Sequence, residues 1–311
     1  MQVLKKLIAD QNDNYCIMSN QTTFTLVNEQ NGNLAFKLFS FEDNSYFDYL
    51  QRNNYYSLIW VTEGNGKLKT DFSEYNFEKN SLFSFTPYQP FMFSSNMIKG
   101  VAIYFHSDFF CIHKHQTEVT CNGVLFNNIY QMPFILVDEA LQNTLNKIIE
   151  QIKLEMQNPP GLAQYELLIS FMKIFLISAS RSKMQQQPHA ALSKGENKEP
   201  VILQNLKDAI ENDFKTKHTP NEYAVLLNIS PNALAKITKN HFNKTLTNLI
   251  TERIIIEAKR ELYLTNKSVK EIAYELGYDD EFYFSRFFKK NADISPQVYR
   301  ETVGFGKTEL N

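Results

Sequence analysis

Residues 268–300 read SVKEIAYELGYDDEFYFSRFFKKNADISPQVYR, and this stretch decides how the chain is organised. Ser268 and Glu271, three residues apart, form a capping box: the hydroxyl accepts from the Glu271 amide while the carboxylate reaches back to the amide of Ser268. A short helix therefore starts here. Ile272, Ala273 and Leu276 recur at helical spacing, and Gly277 stands where a left-handed residue ends a helix at least cost. Asp279 and Asp280 supply N-cap oxygens for a second helix, in which Phe284, Phe287 and Phe288 must face a core. The other face of that helix carries Glu281, Phe282, Ser285, Arg286 and Lys289. Side chains of these types, on the exposed front of a helix after a tight glycine turn, suit base edges and phosphates in a DNA major groove.

The same arrangement occurs once more upstream. Thr219-Pro220-Asn221-Glu222 is a capping box with proline at the first helical position; Ala224, Leu226 and Leu227 face inward, and Asn228, the next best left-handed residue, stands where Gly277 stands later. Ser230 and Pro231 then open a second helix, NALAKITKNHF. Leu234, Lys236 and Lys239 align with Phe284, Arg286 and Lys289 at one offset of 50 residues, so the chain contains an internal duplication. Between the copies, Leu249, Ile250, Ile254, Ala258 and Leu262 lie on one stripe of a predicted helix over 246–264. At about 1.5 Å per residue it spans about 28 Å, close to one turn of DNA.

The run IAYELGYDDEFYFSRFFKK followed by ISPQVYR resembles the signature of the AraC/XylS family of bacterial transcription regulators. Ile272, Ala273, Gly277, Tyr283, Phe284, Ser285, Arg286, Phe288, Lys289, Pro296 and Arg300 match it. Tyr278 departs from the usual Phe, Phe282 from the usual Ser, and Ala292-Asp293 stands where a Gly is usual. The resemblance implies a seven-helix DNA-binding domain over 201–301 that reads double-stranded DNA in two adjacent major grooves. The first recognition helix would offer Asn232, Ala235 and Lys236 to bases and Lys239 to phosphate; the second would offer Glu281, Phe282, Ser285, Arg286 and Lys289. Asn can address adenine bidentately, whereas Ala235 and Phe282 address only thymine methyls or sugar. RNA polymerase stands as a further partner.

From Thr22 to Ile103 the pattern is β. Short runs at 22–27, 34–41, 55–61, 66–72, 81–87 and 99–105 cluster β-branched and aromatic residues, with turn signals at Gly64-Asn65-Gly66 and Glu78-Lys79-Asn80. This pattern predicts a barrel or sandwich, and residues 55–93 are similar to the cupin-like effector domain of many AraC-type regulators. No His precedes His106, so the first ligand cluster of an enzymatic cupin is missing, and neither an enzyme nor a cofactor is expected. A barrel lined by Tyr56, Trp60, Phe83, Phe85, Phe91 and Phe93 would hold a small organic effector, or those aromatics simply fill it. Cys111, His113, His115 and Cys121 are metal-ligand types, and a metal- or redox-responsive regulator is the alternative, with a cupin enzyme a remoter one. Their spacing matches no standard zinc pattern.

Helices follow. Leu141, Leu145, Ile148 and Ile152 step by 4, 3 and 4 within 138–156, a seam that a homodimer could use or that an intramolecular hairpin could bury. Leu162 to Arg181 predicts a second, largely apolar helix. The expected fold class is α+β in two domains. Residues 1–183 form a cupin-like β-barrel (about 20–110) with trailing helices (about 138–183), 184–200 a flexible linker, 201–301 the all-α double helix-turn-helix domain, and 302–311 a tail.

At 311 residues, with 43% hydrophobic content, the chain supports two ordinary cores. The net charge of −2, with acids and bases nearly balanced in 201–301, argues against strong non-specific affinity and requires a local basic face. Three cysteines cannot close a disulfide framework, and the polar residues Asp10, Asn12 and Asp13 stand where a secretory apolar core would run. Both point to the cytoplasm and away from the membrane.

Overall fold

The computed structural model describes residues 15–19, 23–28, 32–70, 73–95, 97–115, 124–158, 163–186 and 201–303. The chain divides into two compact units. One is Met1–Asn128 with Met132–Gln186, and the other is Ile129–Gln131 with Gln187–Asn311.

Among the described residues, the first unit has ten strands and two helices. The strands are β1 (Tyr15–Ser19), β2 (Thr23–Asn28), β3 (Leu34–Phe41), β4 (Tyr56–Gly64), β5 (Gly66–Thr70), β6 (Glu74–Phe77), β7 (Ser81–Phe85), β8 (Phe91–Ser94), β9 (Ile98–Phe105) and β10 (Phe134–Leu136). Seven of them form an antiparallel sheet in the order β1-β2-β3-β9-β4-β7-β10, and three form a second sheet in the order β6-β5-β8. The expected α+β organisation in two domains is thus present, with the strands of the first unit lying in these two antiparallel sheets.

Side chains alternate across each strand, so the large sheet has two apolar faces. On one, Phe39, Phe41, Ile59, Val61, Phe83, Phe85 and Tyr104 pack with Leu68, Phe77, Phe91 and Phe93 of the small sheet. The rings of Phe85 and Phe91 stack at 4.0 Å, and those of Phe83 and Phe93 lie 4.7 Å apart. On the opposite face Phe36, Leu38, Tyr56, Leu58, Trp60, Ile103 and Phe105 pack against the helices. The six aromatic residues expected to line one effector cavity therefore separate: Phe83, Phe85, Phe91 and Phe93 lie between the sheets, while Tyr56 and Trp60 lie beneath the helices. The physical reason is that β4 is buried on both faces, so its unbroken apolar run feeds two cores.

Helix α1 (Glu139–Gln157) starts at Asp138, whose side chain accepts from the Leu141 amide at 2.8 Å. Leu141, Leu145, Ile148 and Ile152 are buried, packed with Leu168, Met172, Phe175 and Leu176 of α2 (Gln164–Gln186) in the core of their own unit. The seam expected to join two chains is thus occupied inside one chain. Four apolar side chains moved out of water contribute about 2 kcal/mol each to that packing.

The end of α2 ties down the loop that leads into β10. Lys183, 4% exposed, donates to the Met132 carbonyl at 3.1 Å. The side-chain amide of Gln186 accepts from the Leu136 amide at 3.0 Å and donates back to the Leu136 carbonyl. Lys183 has no carboxylate partner among the described residues, and burial pushes its pKa down from 10.5 to about 8.

Since the unfolded chain keeps the Lys183 proton up to about 10.5 and the folded chain releases it near 8, stability rises with pH across that window. Lys183→Met is expected to raise stability at pH 7 by about 2 kcal/mol, net of the lost hydrogen bond. Denaturant midpoints for the two proteins should draw together as pH rises from 8 and cross before 10.5, where the parent keeps its hydrogen bond without the charge penalty; a variant less stable at pH 7 contradicts this.

Candidate nucleic-acid interface

The helical unit contains seven helices within 201–303: α3 (Val201–Asp213), α4 (Pro220–Leu226), α5 (Pro231–Phe242), α6 (Leu246–Leu264), α7 (Val269–Glu275), α8 (Glu281–Ala292) and α9 (Pro296–Thr302). Both expected capping boxes are present. Glu222 accepts from the Thr219 amide at 2.8 Å, and Glu271 from the Ser268 amide at 2.7 Å. Hydrogen bonds from those caps hold both carboxyls below the usual carboxylate range.

The turns differ in length. Asn228 takes the left-handed conformation at φ 52° and is followed by Ile229 and the N-cap Ser230, whose hydroxyl accepts from the Ala233 amide at 3.2 Å. Gly277, at φ 79°, is followed by Tyr278, Asp279 and the N-cap Asp280, which accepts from the Phe282 amide at 2.8 Å. The second turn is one residue longer. A Cβ at Gly277 would lie 2.0 Å from the Lys215 carbonyl oxygen, so glycine is required there both for its backbone conformation and for the close approach.

On α5, Leu234, Thr238 and Phe242 are buried, while Asn232, Ala235, Lys236 and Lys239 are exposed. Thr238, where an aromatic is usual, satisfies its hydroxyl by donating to the Leu234 carbonyl at 2.7 Å. On α8, Phe284, Phe288 and Ala292 are buried; Phe282, Arg286 and Lys289 are exposed, and Glu281 and Ser285 half-buried. Phe287 is only half-buried, its ring 5.3 Å from that of Tyr278. Phe282 is 67% exposed and its neighbour Tyr283 56%, an aromatic pair at the start of α8 that the sequence reading took only in part. Asp293, at φ 62°, occupies the left-handed position that ends α8, which accounts for the missing glycine of the family pattern. Arg300, another motif residue, is a brace: its guanidinium donates to the carbonyls of Leu262, at 3.2 Å, and Lys267.

Charge is sorted across the unit. Along α6, Arg253 pairs with Glu211 at 2.7 Å and Glu257 at 3.1 Å, Arg260 with Glu257 and Glu261 at 3.3 Å, and Lys267 with Glu261 at 2.9 Å and Glu275 at 2.6 Å. The carboxylates of the strut are thereby neutralised. Lys236, Arg286, Lys289 and Lys290 have no carboxylate partner among the described residues, and Lys239 donates only to the Asn243 carbonyl at 3.3 Å. A nearly neutral unit thus presents free cations on two equivalent helices.

The other candidate ligands are less organised. Cys111 is buried, with the Lys114 amide 3.4 Å from its sulfur, and His115 stacks on Phe110 at 4.9 Å. Cys121 lies outside the described residues. Among the described residues, His113 included, no group of three His, Cys, Asp or Glu side chains is arranged to hold a metal. No described helix is long and apolar enough to cross a membrane.

Two outward recognition helices on one continuous strut define the class: a helix-turn-helix transcription regulator. A profile described as a helix-turn-helix domain matches residues 223–302. The raffinose operon transcriptional regulatory protein of Pediococcus pentosaceus is 34% identical over 95 residues; the match takes in 30% of this chain and about a third (34%) of that protein's length. An uncharacterised HTH-type transcriptional regulator of Pseudoalteromonas carrageenovora is 32% identical over 167 residues, 49% of this chain and 96% of that protein. Among solved structures, the C-terminal domain of AraT, a response regulator of Geobacillus stearothermophilus, is 30% identical and covers 36% of this chain and 94% of its own, with a TM-score of 0.33. The chain belongs to the AraC/XylS family of helix-turn-helix transcriptional regulators.

Gly277→Ala should destabilise the helical unit by about 3 kcal/mol, since the left-handed penalty adds to the contact with the Lys215 carbonyl. Asn228→Gly, at the equivalent turn, should change stability by less than about 1 kcal/mol. Thermal unfolding by circular dichroism checks the pair. Equal effects at the two turns would contradict the assignment of a close approach to the second alone.

Proposed function

We propose that this protein controls transcription by binding double-stranded DNA in two successive major grooves with α5 and α8. The observation that carries the reading is the sorting of charge: acids along the strut are ion-paired, while the cations of both recognition helices are left exposed. In this reading Arg286 addresses guanine bidentately, Asn232 and Lys236 address bases from α5, and Lys239 and Lys289 address phosphates. Glu281 and Ser285 sit at the base-reading edge of α8, and Phe282 contacts a thymine methyl or sugar. Ala235 leaves its base pair unread except for a methyl.

The β unit supplies control. An organic effector would act between the two sheets beside Phe83, Phe85, Phe91 and Phe93, opening ring contacts that are closed without it. A second copy of the chain and RNA polymerase are the macromolecular partners of this reading. A dimer contact through α1 has to use its outward side, where Leu154 is 55% exposed, because the apolar seam is already buried. The coarse division, sensing in residues 1–183 and DNA reading in 201–301, is part of the same proposal.

The decisive experiment is selection of bound DNA from a random pool with the full-length protein. A motif spread over about two helical turns is expected; no enrichment would sink the reading. On the selected site, Arg286→Ala should weaken binding by about 1–3 kcal/mol and relax one base position. Lys239→Ala should weaken all sequences alike and lower the salt slope by about one unit, whereas an unchanged slope removes Lys239 from the phosphate contacts.

A further inference from the structure

The helical unit is not made from one stretch of chain. Ile129–Gln131 belongs to it, although Asn128 and Met132 on either side belong to the β unit. The Tyr130 hydroxyl donates to Glu211 Oε1 at 2.9 Å, and Glu211 Oε2 accepts from Arg253 at 2.7 Å. The Tyr130 ring lies 5.7 Å from that of Phe242, with the Lys207 ammonium 5.7 Å from both rings. The Ile129 carbonyl accepts from Lys244 Nζ at 3.1 Å, and the same ammonium pairs with Glu252 at 2.7 Å. Lys244 is 7% exposed, so its two acceptors are its means of compensation for burial.

These contacts converge on one place, the end of the first recognition helix. Phe242 is the last residue of α5, Asn243 its left-handed cap at φ 54°, and Lys244 the next residue before α6 begins. We propose that Ile129–Gln131 is a strap that positions α5 for DNA, with Tyr130 as the positioning residue acting through Phe242, Glu211 and Lys244. The strap covers the ring at the base of α5, supplies the second acceptor for Lys244, and bridges α3 to α6 through Glu211 and Arg253. The strap's hydrogen bonds to Glu211 and Lys244 and its ring contact with Phe242 fall on α3 and the base of α5, so the dependence is expected of the first reader. The first half of the DNA site is therefore read only when three residues from outside residues 201–301 are in place. This inference rests on the DNA-binding reading above.

The test is a double-mutant cycle in the full-length chain on the selected DNA site. Tyr130→Ala should weaken binding about 10-fold, the scale of a lost hydrogen bond to a charged group together with ring packing. Lys236→Ala on α5 should then add less than about 2-fold to Tyr130→Ala, because α5 is already displaced, whereas Arg286→Ala on α8 should multiply in full. Full multiplication with both, or no loss from Tyr130→Ala, overturns the strap. Hydrogen exchange on the DNA-free protein is the second readout: Tyr130→Ala should speed exchange in the last turn of α5 and leave α8 unchanged. Equal exchange in variant and parent overturns the strap even if the parent binds no DNA, and absence of DNA binding with altered exchange overturns the regulator reading alone. Should Tyr130→Ala fail to fold, Tyr130→Phe, which removes only the bond to Glu211, is carried through the same two measurements, with a loss of about 3-fold expected.

Discussion

Glu257 and Glu261 are 7% and 8% exposed, and a carboxylate at that depth is tolerable only when paired. Their partners come from different places: Arg253 and Arg260 from the same helix, Lys267 from the turn that follows it. The outer members of the chain of charges, Glu211 on α3 and Glu275 on α7, belong to the first and last parts of the double reader. Neutralising two carboxylates on α6 thus draws α3, α6 and α7 into one body. Arg300 completes it from α9 by holding the carbonyls at the end of the strut. Removing one member of such a buried pair typically costs about 3–5 kcal/mol, more than a surface ion pair contributes. The spacing of α5 and α8 is therefore set by electrostatic compensation as well as by the apolar stripe of Leu249, Ile250, Ile254, Ala258 and Leu262.

Residues 268–300 were legible because several independent requirements coincide there: a capping box, a left-handed glycine, an N-cap and aromatic residues at helical spacing. The outward face of α8 followed from the same periodicity, though Glu281 and Ser285 are half-buried on it, while the set on α5 was carried over from the family resemblance. The β unit was legible only in outline. β6, β8 and β10 have three or four residues each, too short for a run of alternating residues to stand out. β4 is buried on both faces, and a continuous apolar run does not reveal which residues look which way; hence Tyr56 and Trp60 were grouped with rings on the opposite face. The seam of α1 was visible as a seam, but periodicity says that a face is covered and not by what. The role of Ile129–Gln131 left no trace, because a single Tyr and a backbone carbonyl have no spacing to recognise.

The two readers are unequal copies. The second has an aromatic floor, with Phe284 against Phe288 at 6.2 Å and Phe288 against Tyr299 at 5.9 Å. In the first, Thr238 occupies the position of Phe288 and turns its hydroxyl back onto its own helix, which satisfies the polar group but contributes less buried area. The first turn is also one residue shorter. α8 stands on internal packing, while the base of α5 is completed by Tyr130 and Lys244. The two halves thus lean on different neighbours: the turn before α8 on Lys215 and His218, the base of α5 on Tyr130.

One small contact at the far end of the β unit bears on how the protein behaves at high concentration. β10 is the last strand of the seven-stranded sheet, and such an outer strand offers free amides and carbonyls to any extended chain nearby. Here Gln186 imitates a neighbouring strand, its carboxamide engaging both the N–H and the C=O of Leu136. A side chain costs far less ordered backbone than an extra strand, yet it occupies the same two groups. The sheet thus ends on a three-residue strand whose outward N–H and C=O at Leu136 a foreign strand would have to win from Gln186, and that protection against edge-to-edge pairing travels with the last turn of α2.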